Sequence, residues 1–261
     1  MALLKLTGIA KAFPGPYGPQ PVLRDVNLAV EEGEFVALIG MSGSGKTTLV
    51  SIIAGLIEPD AGHVFFDGQP IIGPSPARGV IFQNYSLLPW LTVRENVQLA
   101  VDAVSADRTA DWRRVRTDHF VDMVGLSAAQ NKRPRELSGG MRQRVAVARG
   151  LAMESRLLLL DEPFSALDAL TRATLQTELA RIWQSARRTA ILITNDIDEA
   201  VLLADRIVTL SGHDGATIGA SIPVDLPRPR ERRGLSRRPE YQRIRRALVS
   251  TLVAERVREA S

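Results

Sequence analysis

Cysteine is absent from the 261 residues, which excludes disulfides, thiolate metal sites and cysteine nucleophiles. Histidine is nearly absent: the three present, His63, His119 and His213, form no metal-ligand spacing. No apolar run approaches the ~18 residues needed to cross a bilayer. The N-terminus MALLKLTGIAKAF lacks the long apolar core and small-residue cleavage site of a signal peptide, so a soluble chain is expected. Hydrophobic residues nonetheless make up 45% of the chain, enough to bury a sizeable core as one large α/β domain or one domain with an inserted subdomain. The net charge of +4 suits nucleic acid or an anionic membrane surface in sign, but much of the excess lies in the C-terminal tail.

The most informative stretch is Gly40 to Thr48, GMSGSGKTT, which fits the spacing of a phosphate-cradling loop. It follows the apolar run Phe35 to Ile39 and precedes Leu49 to Leu56, which reads as a helix, so the loop is expected at a strand-to-helix turn. Gly40, Gly43 and Gly45 let backbone N–H groups point at a polyphosphate, with the helix N-terminus behind them. Lys46 suits the outer phosphates and the Thr47 hydroxyl suits Mg²⁺.

Upstream, Leu3 to Ile9 and Val22 to Val30 alternate apolar and polar residues, with PGPYGPQP as a turn-rich connection, predicting a hairpin or small antiparallel sheet. Phe13 and Tyr17 fall in that connection, where an aromatic ring either stacks on a purine or packs on the sheet edge. Downstream, His63 to Asp67 and Gly79 to Phe82 read as strands, the second ending at Gln83, whose amide suits Mg²⁺ or an attacking water. The apolar cluster of Tyr85, Leu87, Leu88, Trp90 and Leu91 suggests a partner surface or a clamp onto later helices. Arg94 to Val104 and Trp112 to Val124 read as helices, making about 91–130 an inserted helical subdomain.

A second helix start follows at Leu137-Ser138-Gly139-Gly140, where Ser138 is a good N-cap and two glycines free the backbone N–H groups. Leu157 to Leu160 then form a buried strand ending in Asp161 and Glu162. Asp161 suits a water-mediated hold on Mg²⁺, and Glu162 suits activation of a water aimed at a γ-phosphate.

The phosphate loop, LSGGM, LLLLDEP and SALD stand in the order and spacing of an ABC transporter ATP-binding subunit, which the chain resembles from about Leu3 to Leu210. That resemblance implies a P-loop NTPase fold of ABC type, with a mixed central sheet, an antiparallel β subdomain and an inserted helical subdomain. It implies a domain over 1–222, with 223–261 a basic linker and C-terminal helix. It also implies ATP bound with Mg²⁺ by Gly40, Ser42, Gly43, Ser44, Gly45, Lys46, Thr47 and Thr48, and closed over by Ser138, Gly139 and Gly140 of a second subunit. Phe13 falls at the family's adenine-stacking aromatic, Gln83 at its coupling glutamine, and Asp168 at the residue connecting the two sites. The implied metal contacts are Thr47, Gln83 and Asp161. The implied partners are a second ATPase subunit, identical or related, transmembrane permease subunits and, indirectly, a substrate-binding protein. No nucleic acid is expected, and the location implied is the cytoplasmic face of the membrane.

GPSPARGVIFQNYSLLPWLTVREN and ITNDIDEAVLLADRI look like the importers of nitrate, sulfonate, taurine and similar small anions. One position departs: Asn195 stands where the family usually places a histidine that contacts the γ-phosphate. Asparagine offers hydrogen bonds but no positive charge. Slower hydrolysis, a histidine supplied by another subunit, or sufficiency of Asn195 all fit, which keeps a regulatory or degenerate-site subunit as one alternative and a soluble non-transport ATPase as another. Asp196 to Arg206 reads as a helix. From Pro223 the tail is Pro/Arg-rich, then helical, with Tyr241, Ile244, Leu248 and Leu252 on one docking face. Its arginines suit solvent, an anionic leaflet or a nucleic acid.

Overall fold

The structure is a computed structural model that describes residues 2–186, 188–212 and 215–259, with His213 outside that set. The chain opens with two long strands, β1 (Ala2–Gly15) and β2 (Gly18–Glu31), paired antiparallel down to Gly15 opposite Gly18. The PGPYGPQP segment is therefore mostly strand, and only Pro16 and Tyr17 turn. The prolines are tolerated because β2 is an edge strand and β1 pairs with its other neighbour only as far as Ala10.

β3 (Phe35–Ile39) is wholly buried and leads through the glycine-rich loop into α1 (Lys46–Ala54), which begins and ends earlier than the Leu49 to Leu56 expected. β4 (Ala61–Phe66) and the short β5 (Gln69–Pro70) complete a four-stranded antiparallel sheet in the order β2-β1-β4-β5.

The described chain divides into two compact units, one running to Pro74 and resuming after residue 187, the other spanning Ser75–Ala186. In the second unit β6 (Arg78–Ile81) is followed by α2 (Val93–Val104) and α3 (Ala110–Met123). α2 starts at a capping box in which the Thr92 side chain accepts from Glu95 N and the Glu95 carboxylate accepts from Thr92 N. α4 (Gly139–Ala152) follows, then β7 (Leu157–Asp161), which pairs parallel with β6, and α5 (Ala169–Ala186).

The first unit resumes with β8 (Thr189–Ile193), α6 (Ile197–Leu203), β9 (Arg206–Ser211) and β10 (Thr217–Pro223). β3 pairs parallel with both β8 and β9, while β10 runs antiparallel to β9, so this sheet is mixed. β3 is apolar throughout and β8 and β9 mostly so, because these strands are buried almost along their whole length. α6 stops at Leu203, not Arg206, because Ile207, Val208 and Leu210 are fully buried as a strand beside β3. Burial in a sheet outweighs the local helical pattern there.

Beyond Pro223 come the single turn α7 (Arg232–Leu235) and α8 (Pro239–Glu259). Tyr241, Ile244 and Leu248 are buried, and α8 packs on α6. Two tail arginines are structural: Arg230 donates to the carbonyls of Val201, Ala204 and Val224 near the end of α6, and Arg228 to Leu203 O and Asp205 Oδ1. Burial, with Arg228 beside it, brings the Arg230 guanidinium down to about 10.

Tyr241 donates its hydroxyl hydrogen bond to Asp198. Burial first, then that carboxylate, push its phenol up to about 12. A raised folded pKa stabilises the protonated form, so this contribution to stability is full below about pH 10 and lost as pH rises towards 12. Spectrophotometric titration is expected to show one phenol ionising about two units late, absent in Tyr241→Phe. Coincident, ordinary titration of all three tyrosines would contradict the buried pair.

Candidate nucleotide site

In the first unit the glycine-rich loop joins β3 to α1, and its geometry demands glycine at specific places. A Cβ at Gly40 would lie 2.2 Å from the Leu210 carbonyl oxygen and 2.7 Å from Ser44 Oγ. Gly45 caps α1 with φ 80°, and a Cβ there would press on Val22 and Leu23. Ser44 and Lys46 are buried, while Ser42, Gly43 and Thr47 are exposed. The Lys46 ammonium is held by Gly40 O at 2.8 Å, Met41 O at 2.6 Å and Ser44 Oγ at 3.3 Å. A cation thus sits beneath the first residues of a loop that leads into the positive N-terminal end of α1, an anion site. Thr47 and Thr48 occupy the first turn of α1.

Phe13 lies on β1 rather than in a loop, half-exposed, with Lys11 Nζ 5.7 Å from its ring centroid. Tyr17 is fully exposed at the hairpin tip. Asn195 follows β8 in a turn fastened on both sides. The Thr194 hydroxyl donates to the buried Glu199 carboxylate at 2.9 Å and accepts from Asp196 N at 3.0 Å. Asp196 caps α6 by accepting from Asp198 N and Glu199 N.

In the second unit, Asp161 ends β7 and is 2% exposed, and Glu162 follows with φ 46°. A left-handed backbone at a non-glycine residue costs about 1–3 kcal/mol. The Glu162 carbonyl accepts from Gln143 Nε2 and Ser165 Oγ, each at 3.0 Å, which offsets part of it. The Glu162 carboxylate accepts from Gln83 Nε2 at 3.0 Å. Gln83 and Glu162, read separately in the sequence, are therefore direct partners. Asp168 Oδ1 accepts from Leu170 N and Thr171 N at the start of α5; the Thr171 bond foremost holds its carboxyl below the usual range. Ser138 caps α4, its Oγ accepting from Met141 N at 3.2 Å, and Gly139 and Gly140 form the first turn.

Two residues escaped sequence reasoning. Gln143, 1% exposed, donates to Glu162 O and accepts from Ala166 N at 2.9 Å, so one amide ties the helix after Ser138 to both the acid pair and the SALD turn. Its only signal was a polar residue at a buried helical position. Gln143→Leu leaves two part-buried partners without their bond and is expected to cost about 1–2 kcal/mol in chemical denaturation and to slow turnover; unchanged stability would show the bonds to be dispensable. Asn96, fully buried, donates to the carbonyls of Leu88, Leu91 and Thr92 and accepts from Leu88 N, pinning the segment that exposes Trp90.

A family model described as ABC transporter matches residues 23–165, more than half of the chain. The chain belongs to the ABC transporter family. The nitrate import ATP-binding protein NrtD of Synechococcus elongatus is 49% identical over 91% of this chain and 86% of its own length. The bicarbonate transport ATP-binding protein CmpD of Synechocystis is 47% identical over 94% of this chain and 86% of its own. NrtC of Synechococcus elongatus, another nitrate import ATP-binding protein, is 50% identical over 97% of this chain, but this chain spans only 38% of it. Among solved structures, the dimeric post-hydrolysis cassette MJ0796 bound to ADP and Pi superposes with a TM-score of 0.78 and 31% identity, over 86% of this chain and all of that one. The fold is the ABC ATPase cassette, and the chain is an ATPase. No helix among the described residues is long and apolar enough to cross a membrane.

Proposed function

We propose that this ABC ATPase powers import of a small anion of the nitrate or bicarbonate kind, in keeping with its nitrate import and bicarbonate transport relatives. The observation that carries it is the presence in one chain of a complete phosphate loop and a capped Ser138-Gly139-Gly140 turn, alongside relatives of matching length that are import subunits. Sulfonate or taurine transport, expected from the sequence beside nitrate, stays within the same anion class.

Gly40 to Thr48 takes the triphosphate, Phe13 the base, and Ser138 to Gly140 of a second subunit the γ-phosphate. The dimeric state of MJ0796 supports the pairing. The donors assigned to Mg²⁺ are the Thr47 hydroxyl, the Gln83 amide oxygen and the Asp161 carboxylate. That set fits: all are hard oxygens, and Mg²⁺ with a nucleotide needs one carboxylate plus phosphates rather than an acidic cage. No cluster of three or more acids or histidines of the metal-binding kind occurs among the described residues. When bound, Mg²⁺ neutralises charge developing on the phosphates. Glu162 takes the proton of the attacking water, with Gln83 orienting its carboxylate. Asn195 offers an amide hydrogen bond to the γ-phosphate, and Asp168 links the paired sites.

Trp90, 65% exposed on its pinned segment, is the surface proposed for the permease, and the chain is proposed to work peripherally at the cytoplasmic face of the membrane. Vesicles carrying the chain with its co-encoded permease and binding protein are expected to accumulate nitrate or bicarbonate when MgATP is present. Uptake unaffected by removing the chain, or confined to uncharged solutes, would overturn this assignment.

A further inference from the structure

A cavity of about 350 Å³ in the first unit has Gly40, Ser42 and Asn195 on one side and Val249, Leu252 and Val253 of α8 on the other. The Lys46 ammonium, bonded to Gly40 O and Met41 O, marks this as the loop end that faces the outer phosphates. α8 is also fastened to the turn that carries Asn195. Tyr241, 3% exposed, bonds Asp198; Arg245 Nε lies 3.8 Å from the same carboxylate; and Asp198 N is one of the two donors to the Asp196 side chain next to Asn195. Thr194 and Glu199 brace the other side of that turn. The tail helix therefore reaches the same few residues twice, once by a polar chain and once by an apolar wall.

We propose that the C-terminal helix is a working part of the nucleotide site: Tyr241, through Asp198, is a positioning residue for Asn195, and Leu252 with its valine neighbours walls the outer-phosphate end of the loop. The inference rests on assigning Asn195 to the γ-phosphate. Hydrogen bonding through Asp198 holds the Asp196 turn that carries Asn195, and a positional error near 1 Å can cost about a hundredfold in rate. The apolar wall attracts no phosphate; it shapes the cavity and limits water at the reacting end.

The test is steady-state MgATP hydrolysis by the purified full chain, with binding of a fluorescent ATP analogue measured in parallel. Tyr241→Phe removes one hydroxyl and keeps the packing; it is expected to lower kcat about tenfold with KM for ATP within about twofold. Asn195→Ala reports on the underlying assignment, and the double variant is expected to be no slower than the slower single variant, the mark of two residues on one route. Normal kcat in Tyr241→Phe, or effects that multiply in the double variant, would overturn the positioning role even if Asn195→Ala is slow. Normal kcat in Asn195→Ala would instead remove the assignment beneath it. For the wall, Leu252→Asp places a carboxylate beside the outer phosphates and is expected to weaken ATP binding about tenfold, whereas neutral Leu252→Asn stays within about threefold. Equal affinities for the two would show that Leu252 does not face the nucleotide.

Discussion

Glu162→Gln is expected to lower kcat for MgATP hydrolysis by about a hundredfold or more while leaving ATP binding near that of the native chain. A positioned general base contributes about 10²–10⁴ in rate, and the amide cannot accept the proton. Geometry should survive the change. Gln83 Nε2 donates to Glu162 Oε2 at 3.0 Å, and the substituted side chain keeps a carbonyl oxygen able to accept that bond. The backbone at 162 is held independently, through its carbonyl, by Gln143 and Ser165. The variant therefore separates the proton acceptor from the scaffold. Phosphate release measured beside nucleotide binding checks it, and turnover within about tenfold of native would place the base elsewhere.

Gly40→Ala is expected to damage both stability and ATP binding. Its Cβ would fall 2.2 Å from Leu210 O, a backbone atom of β9, and 2.7 Å from Ser44 Oγ. β9 cannot yield, because it is paired on one side with β3 and on the other with β10. The loop must move instead, carrying away the carbonyls of Gly40 and Met41 that hold Lys46. Overpacking of this kind costs about 1–3 kcal/mol of stability, and displacement of the loop should weaken ATP binding by about a hundredfold. Gly73→Ala is the matched control, since a Cβ there meets nothing within 4 Å. Comparable ATP affinity in the two variants would refute the steric argument.

The parts of this protein that were legible in its residues are those whose chemistry is local. Gly40 to Thr48 is contiguous, and its setting between β3 and α1 follows from an apolar run on one side and a helical pattern on the other. Leu157 to Leu160 announces a buried strand for the same reason. The resemblance of four motifs, in their order and spacing, to an ABC transporter ATP-binding subunit implied the ABC ATPase cassette.

What only the tertiary structure decided depends on groups far apart in the chain. Gln143 meets Glu162 and Ala166, at separations of 19 and 23 residues, and no periodic pattern announces such a pairing. The proline-rich arms of the first hairpin are strand because one of them is an edge, a property of the sheet and not of the segment. Arg206 to Leu210 is strand because β3 offers it a partner, against a helical pattern running into it. The tail reads as a solvated charge run until Arg230 is seen on the end of α6 and Tyr241 on Asp198, 43 residues away. Local sequence sets propensities of a fraction of a kcal/mol per residue. Burial and pairing of distant groups are worth more at each site, and they decided these positions.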